Sequence, residues 1–167
     1  VSLLRDFSAP VLLDFAYTDQ DLAFLVQYET NGFNQWQAAQ ELLERVLLKC
    51  HDAEPYLQAI VQTVPSLAER DALLTARLLD VPSENYLASR IDQDYEPSEM
   101  HQRREELLNA LAKRLAEYWP TAYADQPIVP YVDSSEAMGR RAWRNVVLSM
   151  AFRAGLPQAV QWATEQY

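Results

Sequence analysis

Apolar residues recur through most of this sequence at intervals of three and four positions, which is the period of an amphipathic α-helix. From residue 18 onward this pattern predicts eight helices, at about 18–28, 34–50, 54–64, 66–80, 83–91, 97–118, 133–154 and 158–167. These helices would contain roughly 70% of the residues, about twice the share in an average globular protein. The sequence therefore predicts an all-α fold.

Residues that favour helix ends stand at most of the predicted boundaries. Small polar side chains accept a hydrogen bond from the first turn of a helix, and proline fits its first position. The predicted helix starts are Thr18 with Asp21, Asn34, Ser66 with Glu69, Ser83, Pro97, and Asp133 with Glu136 beside Ser134 and Ser135. The short links between these helices fit either a compact bundle or an irregular antiparallel stack of helix pairs.

The apolar stripe of each predicted helix supplies candidate core residues. The main stripes consist of Leu22, Leu25 and Val26; of Trp36, Ala39, Leu43, Val46, Leu47 and Cys50; of Met100, Leu107, Leu108, Leu111, Leu115 and Tyr118; and of Trp143, Val146, Val147, Met150 and Ala154. Because Cys50 lies on such a stripe, we expect a buried small hydrophobic residue rather than a nucleophile. A single cysteine also fits a reducing compartment such as the cytoplasm.

The first 17 residues follow a different pattern. Ala9, Val11, Leu13, Phe15 and Tyr17 alternate with their neighbours, a period of two that predicts a β-strand at about 11–17. No later segment has the pattern of a second strand, so this strand is expected to have no partner within the chain. The predicted domains are therefore residues 1–17, the end of a sheet that is otherwise missing, and residues 18–167, a helical domain.

Composition excludes several classes of function. The 14 Lys and Arg residues against 24 Asp and Glu residues give a net charge of −10, which opposes binding to nucleic acid and to anionic membranes. No segment approaches the roughly 20 consecutive apolar residues of a membrane-spanning helix. Three glycines in 167 residues are too few for the glycine-rich loops that hold phosphates.

Metal-binding and catalytic patterns are equally sparse. The two histidines, His51 and His101, stand fifty positions apart. His101 and Glu105 would share a helix face and could form half of a metal site, but the neighbouring Arg103 and Arg104 favour a face of solvated ion pairs. Ser134 and Ser135 fit a helix start better than a nucleophile.

Two charged segments have similarly ordinary explanations. The segment RRAWR at residues 140–144 contains Arg140, Arg141 and Arg144 and is best interpreted as a helix face with ion pairs. The carboxylates of Asp92, Asp94 and Glu96 lie in a polar segment between two helices, where hydration explains them without an acid–base role. By pattern alone the chain is a helical domain without catalytic residues.

Four segments resemble a known family. They are SLLRDFSAPV at residues 2–11, FNQWQAA at 33–39, LDVPS at 79–83 and RAWRN at 141–145. The first closely resembles a stretch of bacterial aminopeptidase N, a zinc metallopeptidase of the gluzincin type, that leads into the last strand of a small β-sandwich domain. The other three resemble, in the same order, helix starts and breaks of that family's C-terminal helical domain.

The resemblance implies a four-domain parent enzyme in which an α-superhelix of the HEAT or armadillo type closes over the active site. Its role would be to enclose the substrate chamber and restrict access to peptides with a free amino end. The family's Gly-x-Met-Glu-Asn and His-Glu-x-x-His motifs do not occur here, so no catalytic, cofactor-binding or metal-binding residue is assigned, and zinc is expected only in the parent. The expected partners are the parent's own catalytic and β-sandwich domains and its peptide substrates.

Other functions are compatible with the same helices. A free-standing helical adaptor would bind a partner peptide in a concave groove, and a complete small enzyme would need an unfamiliar site. If the chain is instead part of a longer helical domain, apolar surface should lie open near Val160 and Tyr167, where further helices would cover it.

Overall fold

The computed structural model describes residue 3 and residues 15–49, 51–91 and 96–166. Within this part of the chain 74% of the residues are helical and none is in a strand. The helices are α1 (Asp19–Tyr28), α2 (Gly32–Lys49), α3 (Glu54–Arg70), α4 (Ala72–Leu78), α5 (Glu84–Ala88), α6 (Pro97–Arg114), α7 (Trp119–Ala124), α8 (Ser135–Arg153) and α9 (Gln158–Gln166). The predicted all-α fold is confirmed.

The predicted N-terminal strand is not confirmed. Residues 11–14 lie outside the described part of the chain, and residues 15–17 belong to no strand. The division into residues 1–17 and 18–167 therefore stays a prediction.

Local capping chemistry starts several helices where the sequence predicts. The Asp21 N–H donates to Thr18 Oγ1 at 3.1 Å, and the Thr18 N–H donates back to the Asp21 carboxylate at 2.9 Å. Ser83 Oγ accepts the Tyr86 N–H at 3.3 Å and caps α5, and Pro97 begins α6. These bonds join residues three apart, so the sequence alone carries the signal.

Two other predicted caps are wrong by a few residues. Helix α2 begins at Gly32, and it is the Asn31 side chain that accepts the Asn34 N–H at 3.1 Å. Asn34 is instead buried within α2 and donates from Nδ2 to the Leu3 carbonyl at 2.9 Å. At α8 the capping residue is Ser134, which accepts from the Ala137 N–H, rather than Asp133.

The largest error lies at Pro65, where the sequence predicts one helix to end and another to begin at a Ser66–Glu69 capping box. Helix α3 instead continues through Pro65 to Arg70, and Ser66 donates to the Thr63 carbonyl within it. Proline inside a helix costs about 3 kcal/mol. Apolar residues before and after Pro65 are buried within α3, and their burial opposes this cost. Asp71 then caps α4 by accepting the Leu74 N–H.

The long helix predicted at 97–118 ends four residues early, and the sequence did not predict α7, which begins at Trp119. Helix α6 ends at Arg114, and the turn that follows leads into α7, with Pro120 in its first turn. The break predicted at Trp119 is thus also a helix start. The predicted helix at 83–91 is shorter than expected and ends at Ala88. Gly155 adopts a φ of 75° after α8, a conformation that favours glycine.

The helices form an irregular stack in which most of them contact their neighbours in the sequence. Helix α2 packs on α1, α3 on α1 and α4, and α9 on α8, while α8 also returns to contact α4 and α6. At the crossing of α8 and α4 a Cβ on Gly139 would lie 3.1 Å from Leu73 Cβ and 3.2 Å from the Leu73 nitrogen. A side chain at position 139 would therefore crowd the start of α4, which glycine avoids.

The predicted stripes supply half of the largest fully buried side chains of the core. The largest fully buried side chains are Trp119, Trp143, Tyr56, Leu22, Leu42, Leu43, Leu47, Ile60, Leu78, Leu87, Leu111 and Val26. Trp36, Val46 and Tyr118 are only partly buried at the edge of this core. Cys50 lies outside the described residues, so its predicted burial stays a prediction.

Donors from other helices satisfy several carbonyls at helix ends. Gln35 Nε2 donates to the Val26 carbonyl near the end of α1 at 2.6 Å, and the Tyr56 hydroxyl donates to the Leu78 carbonyl at the end of α4 at 3.0 Å. Burial raises the pKa of Tyr56, which keeps the hydroxyl protonated as a donor. The last carbonyls of a helix have no partner within it, so each of these bonds both ends a helix and fixes its neighbour.

Candidate functional site

The residues that the sequence suggests as metal ligands do not come together in the structure. His51 Nδ1 lies 2.8 Å from Asp19 Oδ2, and His101 Nδ1 lies 2.8 Å from Glu84 Oε1. Residues 15–49, 51–91 and 96–166 contain no group of three or more His, Cys, Asp and Glu side chains placed to hold a metal ion.

The half-site considered for His101 and Glu105 does not form. Glu105 is bound by Arg153, whose Nη1 and Nη2 lie 2.6 and 3.1 Å from its two oxygens. The hydrogen bond from Arg153 lowers the pKa of Glu105. Arg103 pairs with Glu99 on the same helix at 3.2 Å. The interpretation of this face as a surface of ion pairs is confirmed.

The structure describes only part of the acidic segment at residues 92–96. Asp92 and Asp94 lie outside the described residues. Glu96 precedes α6 and accepts a hydrogen bond from the Ser98 hydroxyl at 2.8 Å. Ser135 begins α8 directly after the cap at Ser134, which confirms the helix-start interpretation of the two serines.

A network of charges joins the start of α1 to α2. Arg45 Nη1 donates to Asp19 Oδ1 at 2.7 Å and to the Tyr17 carbonyl at 2.9 Å, while Nη2 donates to Glu41 at 2.5 Å. The Arg45 hydrogen bond, with a smaller contribution from His51, lowers the pKa of Asp19. Sequence reasoning missed this network because its members are 26 and 32 positions apart.

We expect Asp19→Asn to lower the free energy of unfolding by about 1 kcal/mol at pH 7, a value discounted for partial exposure. A carboxyl whose pKa is lowered on folding contributes stability above its unfolded pKa, and that contribution is lost as the pH falls through the folded pKa. The difference between wild type and variant should therefore shrink below about pH 4. Urea unfolding at pH 7 and pH 3.5 measures it. Asp80→Asn, at an exposed pair with Arg77, is the control and should change little at either pH.

The arginines at 140–144 have three different environments. Arg140 pairs with Glu136 at 2.6 Å, as predicted for a helix face. Arg141 stacks on the Tyr131 ring, 4.8 Å from its centre, and donates to the Val132 carbonyl. Arg144 contradicts the prediction because it is buried, with only 9% of its surface exposed, and takes part in none of the ion pairs of the described residues.

Arg144 connects α7, the segment after it and α9. Nη2 donates to the Tyr123 hydroxyl at 2.5 Å, Nε donates to Gln166 Oε1 at 3.1 Å, and Nη1 donates to the Gln126 carbonyl. The guanidinium also lies over the Tyr123 ring, 4.2 Å from its centre. Each of these acceptors is neutral.

Several grooves lie on the described surface, and two of them contain both aromatic and arginine side chains. The connector, defined here as residues 126–132, forms with α8 a groove of about 670 Å³ that we name the connector groove. The larger aromatic groove, about 860 Å³, lies between α2, α4 and α5 and is lined by Phe33, Trp36, Leu74, Arg77 and Tyr86 among others. The sequence analysis identified neither, since each combines residues from separate helices.

Other apolar side chains are exposed outside these grooves. Val160 on α9 is 62% exposed, as expected, and Phe152 at the end of α8 is 64% exposed. Tyr167 lies outside the described residues. None of the described helices is both long and apolar enough to cross a bilayer.

The all-helical stack agrees with the class of protein that comparison identifies. Residues 19–167 match the family DUF3458_C, described as a domain of unknown function with ARM repeats, and the chain belongs to this family. Aminopeptidases are among its relatives. Aminopeptidase N of Escherichia coli strain K12 is 30% identical over 161 residues, which cover 88% of this chain and 18% of that protein. Aminopeptidase N of Caulobacter vibrioides is 30% identical over 153 residues, 87% of this chain and 18% of that protein.

A solved structure shares the fold. The crystal structure of Legionella pneumophila aminopeptidase A in complex with aspartic acid matches with a TM-score of 0.77 and 23% identity, covering 99% of this chain and 21% of that one. The resemblance to aminopeptidase N is confirmed by these comparisons. The chain spans about a fifth of the length of the relatives it matches.

Proposed function

We propose that this chain is a non-catalytic helical part of a zinc-dependent aminopeptidase. The observation that carries the proposal is the 30% identity to aminopeptidase N over 88% of the chain. In this role the chain packs against the catalytic and β-sandwich domains of its parent, and zinc and the catalytic residues belong to those domains. The exposed Phe152 and Val160 support the role, since further parts of the parent would cover them. The single cysteine fits a cytoplasmic parent.

We further propose that the stack encloses the active-site chamber and restricts access to peptides. A wall of packed helices excludes folded proteins by shape and shields the reaction from bulk water, without contributing groups to the chemistry. The substrates would be peptides with a free amino end.

A chimera tests the first part of the proposal. The segment of Escherichia coli aminopeptidase N that aligns with this chain is replaced by it, and hydrolysis of leucine 4-nitroanilide is measured. We expect an active, zinc-containing chimera, while the isolated chain hydrolyses nothing. An unrelated helical-repeat segment of equal length is the matched control and should give no activity. A folded but inactive chimera, or hydrolysis by the isolated chain, contradicts the proposal.

The same chimera tests the restriction of access. It should hydrolyse a free pentapeptide at least 100-fold faster than the same five residues fused to the N-terminus of a folded protein. Comparable rates for the two substrates contradict the chamber role. A gene sequence provides a further check, because the coding region upstream of Val1 should encode a His-Glu-x-x-His motif.

A further inference from the structure

The connector groove contains a buried positive charge that the described residues leave unbalanced. Arg144 lines the groove, and its three hydrogen-bond acceptors are a hydroxyl, a backbone carbonyl and an amide oxygen. A buried charge is costly unless an opposite charge pairs with it. A guanidinium has five N–H donors, so Arg144 retains donors for an anion after these bonds are made.

Two further arginines lie on the same side of the groove. Arg140 and Arg141 precede Arg144 by one helical turn, and all three line the groove together with a single carboxylate, that of Glu136. Glu136 is already paired with Arg140. The groove is therefore locally cationic on a chain whose net charge is −10, and this contrast selects an anionic ligand.

The opposite wall of the groove is apolar and unusually exposed. Ile128, Val129, Tyr131 and Val132 are between 55% and 75% exposed. Their backbone N–H groups make no hydrogen bond within the described part of the chain. Exposed apolar side chains together with unpaired backbone donors are the features by which a chain segment binds an extended peptide.

From this arrangement we propose that the connector groove binds an extended peptide segment through an acidic side chain. The carboxylate of a Glu or Asp lies against Arg141 and Arg144, and apolar residues on both sides of it contact the connector. The apolar residues of the connector lie on both sides of Pro130. This arrangement favours a peptide whose acidic side chain has apolar residues before and after it, rather than a carboxylate at the end of the peptide. The proposal concerns binding by this chain alone and does not depend on its role in an aminopeptidase.

The test uses fluorescence anisotropy with the 167-residue chain and a labelled pentapeptide, Leu-Val-Glu-Val-Leu, blocked at both ends. We expect binding, and at least tenfold weaker binding of the peptide with Gln in place of Glu, because a charge-assisted hydrogen bond is lost. Equal binding of the two peptides, or a Kd above 1 mM for the Glu peptide, overturns the proposal.

Substitutions in the chain locate the site. Arg141→Gln should reduce the preference for the Glu peptide over the Gln peptide severalfold, whereas a purely structural effect on the connector would weaken both peptides alike and leave that preference unchanged. Arg77→Gln, which removes the same charge from the aromatic groove, is the matched control and should leave the preference within twofold. An equal effect of the two substitutions contradicts the proposal.

Two further measurements test whether the connector contacts the peptide and whether the groove binds a C-terminal carboxylate instead of an acidic side chain. Tyr131→Ser should weaken the Glu peptide, while Phe152→Ser, at an exposed residue away from the groove, should not. A peptide with Gln in place of Glu and a free C-terminal carboxylate should bind no better than its blocked form. If it binds as tightly as the Glu peptide, the groove recognises chain ends and the proposal is wrong.

Discussion

Replacing Trp119 by phenylalanine is expected to lower the free energy of unfolding by about 3 kcal/mol. The side chain is fully buried, and its Nε1 donates to the Ala112 carbonyl at 2.8 Å. In a continuing α-helix that carbonyl would accept the Ala116 N–H, but Ala116 donates to the Lys113 carbonyl instead. Phenylalanine would therefore leave both a cavity and a buried carbonyl without its donor.

Trp143→Phe is the matched control for this prediction. Trp143 is equally buried, and its ring centre lies 6.3 Å from that of Trp119. Its Nε1, however, has no hydrogen-bond partner among the described residues. We therefore expect a loss of only about 1–2 kcal/mol, since this substitution creates the cavity alone. Urea unfolding followed by far-UV circular dichroism measures both variants, and equal losses would show that the Trp119 hydrogen bond contributes nothing.

Gly139→Leu is expected to destabilise the chain by about 3 kcal/mol, which corresponds to a fall in Tm of about 6–12 °C for a domain of this size. A Cβ at this position would lie 3.2 Å from the backbone nitrogen of Leu73, and backbone atoms cannot rotate away as a flexible side chain can. The larger side chain would force α8 away from α4. Gly139→Ala should be less severe, because the gain in helix propensity of about 1 kcal/mol offsets part of the overlap.

A second glycine shows whether crowding is the cause. Gly155 has nothing within 4 Å of the position of an added Cβ, and only its φ of 75° restricts substitution. Asparagine tolerates that conformation, so Gly155→Asn should change the free energy of unfolding by less than about 1 kcal/mol. Thermal unfolding of the variants provides the comparison. A larger fall in Tm for Gly155→Asn than for Gly139→Leu would contradict the proposed role of the close α4–α8 contact.

The sequence predicted helix content and most helix starts well, and its largest failure has a tertiary cause. The Thr18–Asp21 capping box and the Ser83 cap are bonds between residues three apart, so the pattern shows them directly. At Pro65 the local sequence pattern predicts a helix end just as clearly, but that prediction is wrong. The buried face of α3 outweighs them, because tertiary burial routinely overrides a propensity of a few kcal/mol.

The candidate site was less predictable than the fold. The segment at residues 140–144 stood out in the sequence as a basic cluster, but as one of ordinary ion pairs. Only Arg140 has the predicted partner; Arg144 is buried among acceptors 18 to 22 positions away. No local pattern reveals that a charged residue will be buried without an opposite charge, since its surroundings come from α7, the connector and α9.

The sequence by itself determined that this chain is a set of amphipathic helices and where most of them begin, because the helical period and the capping bonds act within one or two turns. The tertiary structure alone decided that α3 continues through Pro65 and that Trp119 and Tyr56 supply the donors for carbonyls at the ends of other helices. It also decided that α8 crosses α4 at Gly139 and that Arg144 lines the connector groove. Each of these depends on contacts between residues distant in the chain, whose energies exist only once the helices have packed together.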